Sequence, residues 1–94
     1  MNKPSDDTSI LTVLATRLVE QRLPRLELLK ARLDQGEALT DHDIRFLKEA
    51  LEDAQGNKAL IGRHPELQEL AGRLVHLYKE IMDKAVENEK KSAS

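Results

Sequence analysis

The stretch "EQRLPRLE", residues 20–27, decides how many helices this chain forms. Pro24 stands within a leucine-rich segment whose apolar residues recur at helical spacing. Proline has no N–H to donate and crowds the carbonyl four residues earlier, so a helix must kink or break there. The stretch lacks the Gly, Asn or Asp that favours a chain reversal, so it predicts one helix kinked at Pro24. The alternative is a full break at Pro24, which would give a four-helix monomer.

Around this stretch the sequence predicts a first helix over about residues 8–34. On a helical wheel one face of the segment collects apolar side chains, at Leu11, Leu14, Ala15, Leu18, Leu26, Leu29 and Leu33. Gly36 follows, at the position where a glycine in the left-handed conformation commonly ends a helix.

Two further helices are predicted, over residues 41–55 and 65–89. The first repeats apolar residues at helical spacing, at Ile44, Leu47, Leu51 and Ala54, and the second at Leu67, Leu70, Leu74, Tyr78, Ile81 and Ala85. Pro65 suits the first position of a helix. The connector "GNKALIG" is expected to hold one helical turn that tucks Leu60 and Ile61 against the core. The predicted fold is therefore all-α, an antiparallel, coiled-coil-like bundle of three helices.

Length and composition indicate one small domain with a charged surface. The chain has 94 residues, no cysteine, and a net charge of -2 with 34% charged residues. Such a surface has no general attraction for nucleic acid or membranes, and no apolar run is long enough to span a membrane. The tails, about 1–6 and 90–94, are expected to be disordered. Lack of cysteine and of a targeting segment favours a cytoplasmic protein.

The predicted helix lengths lead to a prediction of self-association. The first and third helices are expected to lie antiparallel to one another and to be about 40 Å long each, whereas the second would be about 22 Å long. The short helix would leave part of the apolar stripe uncovered, and soluble monomers avoid large exposed apolar patches. A two-fold homodimer would cover it. The candidate interface residues are Arg22, Arg25, Leu70, Leu74, Ile81 and Ala85.

Arg22 and Arg25 flank Pro24 and project toward the apolar face on an ideal wheel. In one interpretation the helical phase shifts at the kink, so that Val19, Leu23 and Leu26 carry the stripe and both arginines reach water. In the other, the arginines meet carboxylates across a subunit interface or on a protein partner.

The stretch "EALTDHDIRF", residues 37–46, holds the densest group of potential metal ligands, at Glu37, Asp41, His42 and Asp43. It also reads as a helix start, because Thr40 as N-cap and Asp43 at the third helical position form a capping box. Successive helical residues diverge by about 100°, so three neighbours cannot face one ion. The helix start is the favoured interpretation, and no metal or cofactor is predicted.

No catalytic constellation is recognised, and the leading hypothesis is a non-enzymatic protein-protein interaction module or regulator. One alternative is a nucleic-acid-associated regulator that uses the basic residues of helix 1, namely Arg17, Arg22, Arg25, Lys30 and Arg32. Nearby acidic residues dilute this positive charge, which disfavours nucleic-acid binding. A second alternative is a small metal-binding protein or enzyme around His42, or around His76 with Glu80 one turn away.

Overall fold

The computed structural model describes the backbone of residues 4–93 and the side-chain surroundings of residues 9–91. Over this range the elements are all helical: α1 (Pro4–Arg17), a π-helical turn (Leu18–Arg22), α2 (Leu23–Asp34), α3 (Asp41–Gly56), α4 (Lys58–Arg63) and α5 (Pro65–Ala93). The predicted all-α class is confirmed. None of the helices between residues 4 and 93 is both long and apolar enough to cross a membrane.

The chain remains helical through Pro24, and the irregularity that the proline imposes lies just before it. Residues 18–22 form a π-helical turn, in which the Leu23 N–H donates to the carbonyl of Leu18, five residues earlier. A π turn widens the helix locally and is one recognised cause of a helix distortion. The four-helix alternative required a chain reversal at Pro24, and the structure has none there.

The three-helix count is wrong, because the connector forms a helix of its own. If residues 4–34 are taken as one helical segment, the described part of the chain has four helices, with α4 as the additional one. The expected burial of the connector is confirmed at Leu60, which is 8% exposed. The Asn57 side chain donates a hydrogen bond to the Asp53 carbonyl over 2.7 Å, which ties the end of α3 to the start of α4.

The helix ends also differ from those expected. The first helix begins at Pro4 and α5 reaches Ala93, whereas the sequence predicted helix over about 8–34 and 65–89. Residues 1–3 and 94 of the predicted disordered tails lie outside the described residues. At the end of α2 the prediction for Gly36 is confirmed, since its φ is 93°. The Gly36 N–H donates to the carbonyl of Leu33 and the Glu37 N–H to that of Arg32, which together form a Schellman motif.

The two long helical segments run parallel to one another, and α3 runs antiparallel to both. Asn88 of α5 bonds to the Leu33 carbonyl near the end of α2, over 2.7 Å. The salt bridges to α3 run in the opposite order. Arg22, just before α2, pairs with Asp53 late in α3, whereas Arg32, late in α2, pairs with Asp43 early in α3. The expectation that the two long helices are antiparallel is therefore wrong, because α3 and α4 return the chain to the end at which α1 begins. The molecule is a rod of 61 × 19 × 19 Å.

The core is a seam of aliphatic side chains in which α2 and α5 contact each other most extensively. Its buried members are Leu23, Leu26, Leu29, Leu33, Leu47, Leu74 and Ile81, and the half-buried Leu70 and Ala85 pack against it. The expectation that Leu74 and Ile81 need a second subunit for cover is wrong. They are 1% and 0% exposed within a single chain, because both lie in the seam where α2 packs against α5.

The beginning of α3 has the predicted capping box. The Thr40 hydroxyl accepts a hydrogen bond from the Asp43 N–H at 3.1 Å, and the Asp43 carboxylate accepts one from the Thr40 N–H at 3.0 Å. These two bonds satisfy backbone donors that a helix start otherwise leaves without a partner.

We expect Thr40→Ala to lower the free energy of unfolding by about 1 kcal/mol, because the substitution removes the hydroxyl that caps α3. Urea denaturation followed by circular dichroism measures the change. His42→Ala is the matched control, since His42 is exposed beside the box and takes no part in it. Equal losses from the two substitutions would show that the box has no measurable effect.

Candidate functional site: the groove between α3 and α5

The candidate metal ligands of residues 37–46 do not converge on a common point. Asp43 and Glu37 both turn to the guanidinium of Arg32, at 3.0 and 3.1 Å, while Asp41 and His42 are exposed. Searching the described residues for three or more His, Cys, Asp or Glu side chains able to hold one ion finds no such group. Two of the four candidates therefore serve an ion-pair network.

Asp43 is the best-connected carboxylate of this network. Arg32 donates hydrogen bonds to both carboxylate oxygens of Asp43, at 3.2 and 3.0 Å. The Asp43 side chain is only 7% exposed. Burial by itself would raise the pKa of Asp43, but the hydrogen bonds from Arg32 and Thr40 outweigh burial and hold that pKa below its ordinary value. Asp43 therefore links the end of α2 to the start of α3 as a charged group.

The second histidine candidate, His76, lies on the outer surface of α5. Its Nε2 atom is 3.3 Å from the carboxylate of Glu80, one helical turn later, and its side chain is 73% exposed. This is an exposed pair of side chains on one helix, and its surroundings add no third ligand among the described residues.

Arg22 and Arg25 fit neither of the two interpretations of the sequence completely. Leu23 and Leu26 carry the stripe after the π turn, but Val19 is half exposed. Arg22 meets a carboxylate within its own chain, Asp53 at 2.7 Å, and Arg25 stacks over a ring, with its guanidinium carbon 4.2 Å from the Phe46 centroid. Both side chains thus connect α2 or the π turn to α3, and an intermolecular role for them stays a prediction.

The other basic residues of the first helical segment also have partners in the chain. Arg17 lies 3.4 Å from Asp53, Lys30 lies 3.1 Å from Asp34, and Arg32 contacts Glu37 and Asp43. Acidic side chains therefore compensate the positive charge that the nucleic-acid hypothesis requires.

Three grooves run along the rod, and polar or stacking contacts bridge two of them. Arg22, Arg25 and Arg32 span the groove between α2 and α3. The groove between α2 and α5 is spanned by Arg73, 3.7 Å from Glu27, and by the Asn88 side chain.

The third groove, between α3 and α5, is lined by apolar side chains and is open to solvent. We call it the α3/α5 groove, and its apolar lining consists of Ala38, Leu39, Ile44, Leu47, Leu51, Tyr78, Met82, Ala85 and Val86. Ile44 is 52% exposed and Val86 is 50% exposed, whereas Leu47 forms part of the floor and is buried. This groove exposes apolar side chains of both α3 and α5 and is therefore the candidate functional site.

The roles of two residues, Asn88 and Met82, were not predicted from the sequence. Asn88 donates to the carbonyls of Leu33 and Glu37, at 2.7 and 3.0 Å, and so joins α5 to the end of α2. Asn88 lies seven residues after Ile81, which lies seven residues after Leu74. This heptad spacing indicates that Asn88 faces inward with them. Met82 was not singled out because it lies beside the predicted stripe rather than within it.

The comparisons with known proteins assign no family to this chain. Its sequence matches no family model, and neither the curated proteins nor the solved structures include a significant match.

Proposed function

We propose that this protein is a non-enzymatic interaction module that pairs with a second copy of itself through the α3/α5 groove. The observation that carries the proposal is the contrast between this groove and its two neighbours. Charged and polar side chains bridge the neighbours, whereas the α3/α5 groove presents Ile44, Met82 and Val86 to solvent. Contiguous exposed apolar patches of this kind commonly mark interaction sites.

The apolar surface continues along α5 beyond the groove. Val75 is 52% exposed and lies seven residues before Met82, so it falls on almost the same line of the helix. A partner that lies along α5 would cover Val75, Met82 and Val86 together. Removing apolar surface from water stabilises an assembly by about 25 cal/mol per Å², so this stripe supports helix-to-helix pairing.

The charges beside the groove favour a second copy of the chain as the partner. Lys48 and Glu52 of α3 line the same part of the groove as Tyr78. They have opposite charges and stand four residues apart. A two-fold axis that crosses α3 between them would reverse the direction of the helix in the other copy and so set Lys48 opposite the second copy's Glu52.

The other hypotheses have weaker support. A nucleic-acid surface on helix 1 would need Arg17, Arg22 and Arg32 to exchange their present carboxylate partners for phosphates. A metal site at His42 or His76 would need further ligands. The cytoplasmic location stays a prediction, which rests on the absence of cysteine from the sequence.

The first test uses the apolar lining. We expect the melting temperature of the native protein to rise with protein concentration, because pairing stabilises the folded state by mass action. Ile44→Glu should abolish this dependence by placing a charge in the groove. Leu28→Glu is the control, because Leu28 is the most exposed of the large apolar side chains, at 68%, and lies on α2 away from the groove. Loss of the dependence in both variants, or in neither, would contradict the proposal.

The second test uses the charges and separates a second copy from any other partner. Lys48→Glu alone should weaken self-association about fivefold, because it sets like charges opposite one another. Adding Glu52→Lys to the same chain should restore the affinity, since the pair is then reversed in both copies. An affinity that stays low in the double variant would show that Lys48 and Glu52 do not face each other across a two-fold axis.

A further inference from the structure

Met82 carries the only sulfur atom among the described side chains, and it lies in the α3/α5 groove. The sequence has no cysteine, and its other methionine, Met1, lies outside the described residues. Met82 lines both the section of the groove that reaches Tyr78 and the section that reaches Val86. It is 36% exposed, so its thioether is open to a small solute in the single chain.

A thioether can undergo a reaction that the aliphatic lining around it cannot. Peroxides oxidise methionine to the sulfoxide, which turns a flexible apolar side chain into a polar one. With hydrogen peroxide, one oxygen bonds to the Met82 sulfur as the O–O bond breaks, and the other oxygen leaves as water with both protons. The sulfur loses two electrons and the peroxide gains them, so the step needs no further reactant.

The surroundings of Met82 decide what the added oxygen does. The two side chains that share both sections of the groove with Met82, Leu39 and Ile44, are aliphatic and donate no hydrogen bond. In the single chain the sulfoxide oxygen can turn to water, because Met82 is partly exposed. In the pair a second copy covers the groove, and a polar group that is buried without a partner is unfavourable.

We infer that oxidation of Met82 by a peroxide separates the self-associated protein into folded single chains, so that pairing through the α3/α5 groove responds to oxidants. The inference rests on the pairing proposed above. The sulfoxide can be reduced to the thioether again, which makes the change reversible. Pairing in turn covers the sulfur and should slow its oxidation.

The first experiment compares the native protein before and after hydrogen peroxide adds one oxygen at Met82, as read by mass spectrometry. Sedimentation equilibrium should show self-association weakened about tenfold or more, with an unchanged far-ultraviolet circular dichroism spectrum. Methionine sulfoxide reductases should restore the association. An oxidised protein that associates as the untreated one does would overturn the inference and leave the proposed pairing intact. An untreated protein that does not associate would overturn both.

Two substitutions assign the effect to Met82. Met82→Leu removes the sulfur at similar volume and retains Met1, so its affinity, whatever its value, should be the same before and after peroxide treatment. Met82→Gln places a polar amide in the groove and should weaken self-association without peroxide. Equal losses on treatment of the native protein and of Met82→Leu would assign the effect to another residue and contradict the inference.

The protection of the sulfur is measured separately. At a fixed peroxide concentration, Met82 should be oxidised more slowly as the protein concentration rises through the range of association, while free methionine in the same solution reacts at a constant rate. Ile44→Glu, which is expected to remain a single chain, should lose this dependence. A native protein that associates but is oxidised at Met82 equally fast at every concentration would show that pairing leaves the sulfur exposed, which overturns the inference.

Discussion

Ile81→Ala is expected to lower the free energy of unfolding by about 2–5 kcal/mol. Ile81 is 0% exposed and lies in the seam between α2 and α5, so the substitution leaves a cavity that the rigid helices can fill only in part. For a domain whose total stability is about 5–15 kcal/mol, this is a large fraction. Urea denaturation at one fixed protein concentration measures the loss.

Leu28→Ala is the control, because Leu28 lies on α2 outside both the seam and the α3/α5 groove. Leu28 is 68% exposed, so its substitution should change the free energy of unfolding by about 0.5 kcal/mol or less. The comparison also separates two roles for Ile81. If Ile81→Ala left unfolding unchanged but weakened self-association, Ile81 would be an interface residue, as the sequence predicted, rather than part of the core.

Asp43→Asn is expected to have the second-largest effect, about 1–3 kcal/mol at neutral pH. Asp43 accepts two hydrogen bonds from Arg32 and one from the Thr40 N–H, and it is almost fully buried. The neutral amide keeps the shape of the side chain but loses the charge that these donors stabilise. Asp41→Asn is the control, because Asp41 is exposed in the same helical turn.

The pH dependence of unfolding gives a second test at Asp43. The pKa of this carboxyl is lowered in the folded protein from its ordinary value of 3.8. A lowered pKa contributes stability that is fully present above pH 3.8 and is lost as the pH falls through the folded value. Asp43→Asn should therefore flatten the loss of stability in acid below about pH 4. An unchanged acid profile in this variant would show that Asp43 is not held as a stabilised anion.

The sequence predicted the start of α3 correctly because capping is a local interaction. Thr40, Asp43 and the backbone between them contain both hydrogen bonds of the box, so the pattern alone specified the geometry. The left-handed glycine at Gly36 was predictable for the same reason. The consequence of Pro24 was harder to predict, because the π turn shifts the helical phase and thereby directs Arg22 to Asp53, 31 residues later.

The candidate site depended on tertiary geometry that periodicity does not contain. Ile44 belongs to the apolar repeat of α3 with Leu47, yet Leu47 is buried and Ile44 is 52% exposed. The repeat identifies an apolar face, but the position of α5 decides which edge of that face is covered. The expected surplus of apolar surface is present, but at Ile44, Met82 and Val86 rather than at Leu74 and Ile81.

Sedimentation equilibrium of the native chain at micromolar concentrations, beside Ile44→Glu, tests the proposed self-association most directly. We expect the native protein to approach twice the chain mass of 10.6 kDa as its concentration rises, and Ile44→Glu to remain at 10.6 kDa while still folded. A native protein that stays at 10.6 kDa throughout, or an Ile44→Glu variant that associates as the native chain does, would contradict pairing through the α3/α5 groove.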